Sequence, residues 1–320
     1  MESNAKKSKS WKQVVLLAVL TLTAVAFLVA RLQTKTSVLA ESAQMTFKSP
    51  DEAGAALAKA AMSGDPEALA NILGADAKTL LTTEDKEADK AAMDAFVYKY
   101  EKMHRWVDMD DGSRVLYIGT DNFAFPVPLA KHSSGEWYFD AVAGAQEIRA
   151  RQIGRNELLA IDACAAIANA EDVYFTSAGY PPQFAQRIVS TAGRQDGLYW
   201  ATSEKMPVSS PLGSLHEFPK HSLGGKPVQE PLVMDGYTFR ILTAQGDAAP
   251  GGAKSYIVNG KMTGGFAILA APVKYAETGI MTFMTGSDGL IYERDLGPDT
   301  VKIAASIQRF NPTDDWSPVE

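Results

Sequence analysis

The chain has 320 residues, with 31 basic and 38 acidic side chains and a formal net charge of −7 at pH 7. Residues 1–40 hold six of the basic side chains and one acidic one, so the rest carries 25 basic against 37 acidic groups, a net of about −12. Since an acidic surface repels phosphate backbones and anionic headgroups, composition argues against nucleic acid and lipid surfaces as partners.

The first 45 residues are predicted to be a signal peptide or membrane anchor with a linker. Four lysines precede an uncharged apolar run at residues 14–30, the order typical of an exported chain. Val38, Leu39 and Ala40 suit signal peptidase, but Arg31 and Lys35 precede them, so a retained anchor stays open. We expect a periplasmic or extracytoplasmic protein that contacts the membrane through residues 14–30 if they are not removed.

Residues 46–145 are predicted to form a first domain that opens with three helices. Ser49, Pro50 and Glu52 form a helix start, in which Ser49 accepts from the amide of residue 52 and Glu52 from that of Ser49. This helix should end at Gly64. A second should run from Asp65–Pro66 to Gly74, and a third from about Glu84 to His104.

Alternating residues then predict an antiparallel meander. The expected strands are 106–109, 114–119, 123–132 and 135–140, separated by turn clusters. Pro126 and Pro128 cannot donate ladder hydrogen bonds, so their strand should be bulged or lie at an edge.

This order of elements, opened by "SPDEAGAALAKAAMSGDPEALANIL", resembles the cystatin-like cone of the nuclear transport factor superfamily. The resemblance implies a cone that can enclose a ligand pocket, and in some relatives an acid–base pair inside it. The candidates here are Asp94, Tyr98, Glu101 and His104. Helical spacing places Asp94, Tyr98 and Glu101 near one side, which is equally typical of a solvated helix face.

Residues 146–320 are predicted to form a second domain with a helix from an N-cap at Asn156 to a stop at 179–182. Its apolar stripe should pack against a sheet, with Cys164 as a small buried side chain. Asp162, Asn169 and Asp172 should lie on the opposite flank. The stripe consists of Leu159, Ala163, Ile167, Ala170 and Tyr174.

The strands that follow are predicted to be antiparallel. In "GYTFRILTAQG", Tyr237, Phe239 and Ile241 should share a face, and "GIMTFMTGSDGLIYERDLG" reads as a hairpin. This helix and these strands resemble the head of type IV pilins and type II secretion pseudopilins, a helix on a four-stranded sheet. We expect the charged stretch "FDAVAGAQEIRARQIGR" to precede the helix, which argues against polymerisation by the pilin mechanism.

The loop after the helix mixes binding-type side chains with weak strand patterning. Arg194, Asp196, Tyr199 and Trp200 could form a ligand or partner surface, or hold an ordered surface loop in place. His216 and His221 are predicted to lie in a further loop. The chain contains no G-x-S-x-G, H-E-x-x-H or C-x-x-C motif, so we predict no catalytic, metal or cofactor residues and no cofactor.

Over residues 46–320 the chain resembles family 2950 of the bacterial domains of unknown function. The resemblance rests on "FKSPDEAGAALAKAAMSGD", "IGRNELLAI", "STAGRQDGLYW" and "GYTFRILTAQGDAAPGGAKSYIVNGKMTGGFAILAAPVKY". It implies export and no particular activity. We therefore expect an α+β envelope protein of two domains, each with helices packed on an antiparallel sheet.

We further expect this envelope protein to be non-enzymatic and to bind another protein, a carbohydrate or a cell-wall component. Two alternatives remain. One is a small-molecule site in the cone, hydrolase- or isomerase-like, and the other is an accessory subunit of a pilus or secretion system.

Overall fold

The described part of the chain is built from helices and antiparallel strands, which confirms the predicted α+β class. It divides into two compact units between Ile148 and Arg149. Residues 1–43, the bulk of the predicted signal or anchor segment, lie outside the described residues, as do His216 and His221. A computed structural model describes residues 44–74, 85–177, 181–201, 208–213 and 231–319.

The described residues of the first unit up to Phe139 form three helices followed by five short strands. The helices are α1 (Pro50–Ser63), α2 (Pro66–Leu73) and α3 (Lys86–Lys102). The strands are β1 (His104–Asp108), β2 (Arg114–Ile118), β3 (Phe123–Ala124), β4 (Leu129–Lys131) and β5 (Trp137–Phe139).

Local capping chemistry sets the helix ends. Ser49 Oγ accepts from the N–H of Glu52 at 3.2 Å, as predicted, and Gly64 ends α1 with a φ of 64°. The Glu52 carboxylate accepts from the N–H of Lys48 at 2.9 Å. The prediction that it accepts from the N–H of Ser49 is therefore wrong by one residue. Asp85 caps α3 by accepting from two N–H groups of its first turn.

The strands form one antiparallel sheet in the order β1-β2-β4-β5, with β3 also paired to β2. The single strand predicted over residues 123–132 is split into β3 and β4. Pro126 and Pro128 lie in the break, where they have no N–H to give to a ladder.

Helices α1 and α2 and the sheet share one hydrophobic core, to which α3 contributes little. Leu57 and Leu73 from the helices are fully buried with Leu116, Leu129 and Phe139 from the strands. In contrast, α3 contains no fully buried residue, and its apolar side chains are half-exposed at the edge of the core. The first unit is therefore tightly packed on one side and open on the other.

The next helix, α4 (Ala141–Ser177), has 37 residues; it begins in the first unit, and the part from Arg149 onward belongs to the second unit. The predicted start at Asn156 is wrong, because "FDAVAGAQEIRARQIGR" is itself mostly helical. The start signal is Asp140, whose Oδ1 accepts from the N–H of Ala143 at 2.9 Å, and the stretch is rich in good helix formers. No helix within the described ranges combines the length and apolar character that a membrane crossing requires.

Asn156 attaches the middle of α4 to a loop instead of capping its end. Its side chain is buried, Nδ2 donates to the carbonyl of Thr278 at 2.8 Å, and Oδ1 accepts from Gln152 Nε2 at 2.7 Å. The next residue has a similar role, since Glu157 Oε1 accepts from the N–H groups of Ile280 and Met281 at 2.9 and 3.0 Å.

Asn156→Ala is expected to lower the free energy of unfolding by about 1 kcal/mol without shortening α4. The lost hydrogen bond leaves a carbonyl unpaired, and the better helix propensity of Ala offsets part of that cost. Asn169→Ala, at an exposed position of the same helix, is the matched control. Urea denaturation with far-UV circular dichroism checks this, and equal midpoints for the two variants would contradict the role of Asn156.

The described strands after α4 are β6 (Leu232–Met234), β7 (Tyr237–Leu242), β8 (Ala244–Gln245), β9 (Lys254–Ser255), β10 (Ile257–Val258), β11 (Lys261–Met262), β12 (Ala267–Pro272), β13 (Met281–Gly286), β14 (Ile291–Asp295) and β15 (Ser317–Pro318). Six of them form one antiparallel sheet in the order β15-β14-β13-β12-β7-β6. Strands β8 and β9 pair with each other, as do β10 and β11, and a short helix, α5 (Thr300–Ser306), precedes β15.

The stripe predicted for α4 packs into the same core as this sheet. Ala163, Ile167, Ala170 and Tyr174 are buried there, while Leu159 is half-buried. Asp162, Asn169 and Asp172 are exposed, as predicted. The predicted hairpin is also confirmed as β13 and β14, with φ of 75° at Gly289 in its turn.

Helix α5 lies against the face of the sheet that carries Arg240, which is opposite to the face of Phe239. Neighbouring residues of a strand point to opposite faces, and Arg240 Nη2 donates to the carbonyls of Ala304 and Ile307 at the end of α5. All six residues of the central strand β12 are buried.

Candidate functional site

The open side of the first unit contains a cavity of about 510 Å³ with an apolar lining. Leu57 and Ala61 of α1 and Leu69 and Leu73 of α2 form its floor. Strand β2 and the β3–β4 region supply Ile118, Phe123, Phe125 and Pro126, and α3 completes the wall with Asp89, Ala92, Met93, Ala95, Phe96 and Lys99.

The composition of α3 explains why this space stays open. The part of the lining that α3 supplies includes two alanines, Ala92 and Ala95, which fill less space than larger side chains would. Phe96 closes part of the gap, with its ring 5.3 Å from that of Phe125. A cavity of this size with an apolar lining is typical of a site for a small molecule.

Two charged residues, Asp89 and Lys99, are among the described residues that line the cavity. Lys99 Nζ lies 2.6 Å from Asp121 Oδ2 and 5.1 Å from the centroid of the Phe123 ring. The hydrogen bond from Lys99 holds the pKa of the Asp121 carboxyl below its usual value. In the sequence, Lys99 follows Ala95 and Phe96 at helical spacing, and a lysine in line with apolar residues is the signal that sequence reasoning could have used to include it in a site.

The predicted acid–base candidates on α3 point away from the cavity. Asp94 forms an ion pair of 2.6 Å with Lys90 in which both side chains are exposed. Tyr98 is 63% exposed, and Lys102 Nζ lies 5.2 Å from its ring centroid. The prediction that they share a helix face is correct, but that face is the solvated one.

The other two candidates are also outside the cavity lining. Glu101 is exposed, and His104, the first residue of β1, stacks on Tyr100 with ring centroids 4.0 Å apart. His104 Nδ1 lies 3.0 Å from the carbonyl oxygen of Tyr100. The four candidates therefore do not meet around a common enclosed space.

The model of the family described as protein of unknown function (DUF2950) matches residues 44–319. The chain belongs to this family. No curated protein and no solved structure matches it. The family match covers all residues that line the cavity, so the cavity is built within the family's own domain.

In this DUF2950 chain the loop candidates of the second unit mainly contact nearby residues of the protein itself. Asp196 accepts from the N–H of Thr191 at 2.7 Å and from its hydroxyl at 2.8 Å. Trp200 Nε1 donates to the carbonyl of Val208 at 2.9 Å. Tyr199 is half-buried beside the core, and Arg194 is exposed. This geometry favours the ordered surface loop over a binding surface.

Helix α4 carries two fully buried ionisable side chains, Cys164 and Glu171, and the sequence predicted the burial of only the first. Cys164 is fully buried, as predicted, and burial raises the pKa of its thiol to about 12.

Glu171 was not singled out in the sequence, yet it is 0% exposed. Its Oε2 accepts from the N–H of Ala185 at 2.8 Å, and Oε1 has no hydrogen-bond partner among the described residues. Burial raises the pKa of this carboxyl well above its ordinary value, so Glu171 is neutral in the folded protein over an extended pH range.

Two further cavities, of about 510 and 490 Å³, flank α5 in the second unit. They are more polar, with Arg294 and Arg309 in one and Arg240 in the other. Arg240 is engaged with the end of α5, and Arg294 is 3.2 Å from Asp315. No three His, Cys, Asp or Glu side chains are grouped for a metal ion in the described ranges. The cavity of the first unit is thus the best candidate for a binding site.

Proposed function

We propose that this protein is an exported, non-enzymatic cell-envelope protein that binds a small apolar ligand, or an apolar group of a larger one, in the cavity of its first unit. The cavity is the observation that carries the proposal, because apolar concave surface left open to water favours an apolar occupant. Carbohydrate is less well suited, since it needs polar partners that this lining does not supply.

The location rests on the sequence. The basic segment and the apolar run at residues 14–30 support export, with either cleavage or a retained anchor. The excess of acidic side chains in the rest of the chain is compatible with a free surface that does not attach to anionic headgroups.

The two resemblances are also proposals. Helices α1–α3 before an antiparallel sheet support a cystatin-like cone for the first unit, and the cavity fits a cone that encloses ligands. Helix α4 on an antiparallel sheet supports a pilin-like head for the second unit, although the sheet has six strands. This arrangement of helix and sheet is the observation in favour of the second candidate function, an accessory subunit of a pilus or secretion system. Normal pili and secretion after deletion of the gene would contradict this second function.

Ala95→Phe is expected to weaken binding of an apolar probe at least tenfold by filling the mouth of the cavity. Ala95 is exposed at the rim, so the larger ring occupies ligand space without displacing core side chains. The probe is N-phenyl-1-naphthylamine, an uncharged fluorophore, titrated against the purified protein. Ala91→Phe, exposed on α3 and outside the cavity lining, is the matched control and should bind like the wild type.

Competition by 1-octanol, 1-decanol and 1-dodecanol adds a second readout. Each buried methylene contributes about 0.8 kcal/mol, so affinity should rise about fourfold per carbon until the cavity is full. Equal fluorescence titrations for Ala95→Phe, Ala91→Phe and the wild type would rule out this cavity as the site.

A further inference from the structure

Lys99 stands at the boundary between the apolar cavity and water. Its side chain is 34% exposed, and its ammonium lies 5.1 Å from the Phe123 ring centroid. Its stem lines the cavity while Nζ reaches Asp121, whose side chain is 58% exposed. A long apolar stem with its charge at the rim is the usual way in which lysine combines apolar packing with hydration.

The turn after β2 holds this arrangement in place. The N–H of Gly119 donates to the carbonyls of Lys99 and Met103 at 3.1 and 2.9 Å. A Cβ at Gly119 would lie 2.6 Å from Asp121 Oδ1 and 3.1 Å from Lys99 Cγ, and φ at this position is 71°. Glycine therefore allows the turn to approach Lys99, which fixes where its ammonium is presented.

We propose that Lys99 binds the anionic head group of an amphipathic ligand whose apolar part fills the cavity. This inference rests on the proposed function and adds the chemical class of the ligand, a carboxylate with an apolar chain or ring. An ammonium has three donor hydrogens, and the ion pair with Asp121 uses one of them. Because a solvent-exposed ion pair contributes little, a ligand carboxylate can join or replace Asp121 at small cost.

Asp89 is the other charged residue of the described lining. The alternative hypothesis is that Asp89 binds a ligand with a cationic head group. The lining places Asp89 near the start of α3 and Lys99 near its end, so the two ends of the cavity favour opposite charges. Lys99 is the better anchor, because its ammonium lies at the aromatic ring of Phe123 and its partner among the described residues, Asp121, is exposed.

The test compares three probes with the same ten-carbon chain, decanoate, 1-decanol and decyltrimethylammonium, on the full-length protein. Dissociation constants come from competition with N-phenyl-1-naphthylamine below micellar concentrations. In Lys99→Gln, the preference for decanoate over decanol is expected to fall about fivefold relative to the wild type. Lys90→Gln is the matched control: Lys90 is on the same helix and paired to Asp94 at the same 2.6 Å, and its removal should leave the preference intact.

Asp121→Asn separates a binding role from a structural one. Removing the competing carboxylate should strengthen decanoate binding two- to fivefold, whereas loss of a purely structural ion pair would leave it equal or weaker. The inference would be overturned if Lys99→Gln kept the wild-type preference for decanoate over decanol, or if decyltrimethylammonium bound more tightly than decanoate. In either case, binding of decanol would still support the proposed function. If neither decanol nor decanoate bound, both proposals would fail.

Discussion

Gly279→Ala is expected to lower the free energy of unfolding of the second unit by about 3 kcal/mol. A Cβ at this position would lie 2.1 Å from Tyr237 Oη and 2.5 Å from its Cζ, far closer than non-bonded atoms approach. Overpacking of this kind forces side chains out of their rotamers and shifts the backbone.

Tyr237 cannot move aside to make room. It is 0% exposed in the core, and its hydroxyl donates to the carbonyl of Met281 at 2.8 Å. Its ring centroid lies 5.9 Å from that of Phe283 in the same core. A displaced ring would lose its packing and leave a buried hydroxyl unpaired, which adds to the cost.

Gly154→Ala is the matched control for this prediction. Gly154 lies inside α4, and a Cβ there would meet nothing within 4 Å, so Ala should stabilise the helix by up to about 1 kcal/mol. Scanning calorimetry should show a melting temperature lower by roughly 6–12 °C for Gly279→Ala and no loss for Gly154→Ala. Similar melting temperatures for the two variants would contradict the close contact.

The sequence predicted best those features that depend on residues close to one another along the chain. The caps at Ser49 and Gly64 follow from local hydrogen bonding and backbone geometry, and both were predicted. The start of α4 was missed because Asn156 looks like a cap, while the true signal, Asp140, follows directly on a strand. A residue type that suits a helix start can equally donate from the middle of a helix to a distant loop.

The candidate site could be predicted only in part, for a related reason. Asp94, Tyr98 and Glu101 were correctly placed on one face of α3, but spacing alone does not say whether a charged face lines a cavity or meets water. The cavity itself is lined by Ala92 and Ala95 together with residues of α1 and α2 that are distant from them in sequence. Such a space depends on packing between elements, which no local pattern contains.

Glu171 shows a similar limit, and its burial leads to the last prediction. Along α4 it is a charged residue, and periodicity alone does not reveal that it is buried and bonded to the backbone at Ala185. The Ala185 N–H bond favours the ionised carboxylate, but burial outweighs it and the neighbouring charge of Asp172 acts in the same direction as burial. Tyr174, one turn away, has its hydroxyl bound to the carbonyl of Gln195 and offers no positive charge.

The raised pKa of Glu171 makes the second unit less stable as pH increases. Below about 4.5, the ordinary value, Glu171 is protonated in both the folded and the unfolded chain and has no effect. Above it, the unfolded chain loses the proton while the folded chain keeps it, so stability falls by up to about 1.4 kcal/mol per pH unit until the folded pKa is passed. The loss is therefore largest at neutral to alkaline pH.

Glu171→Gln is expected to remove this pH dependence. The amide oxygen can still accept from the N–H of Ala185, and the side chain stays neutral at every pH. Urea midpoints should be similar for variant and wild type near pH 4.5 and should diverge in favour of the variant by pH 8. Asp162→Asn, an exposed carboxylate on the same helix, is the matched control and should follow the wild-type profile. If the urea midpoints of Glu171→Gln and the wild type changed with pH in the same way, the burial of Glu171 would not lower stability at high pH, and the prediction would be wrong.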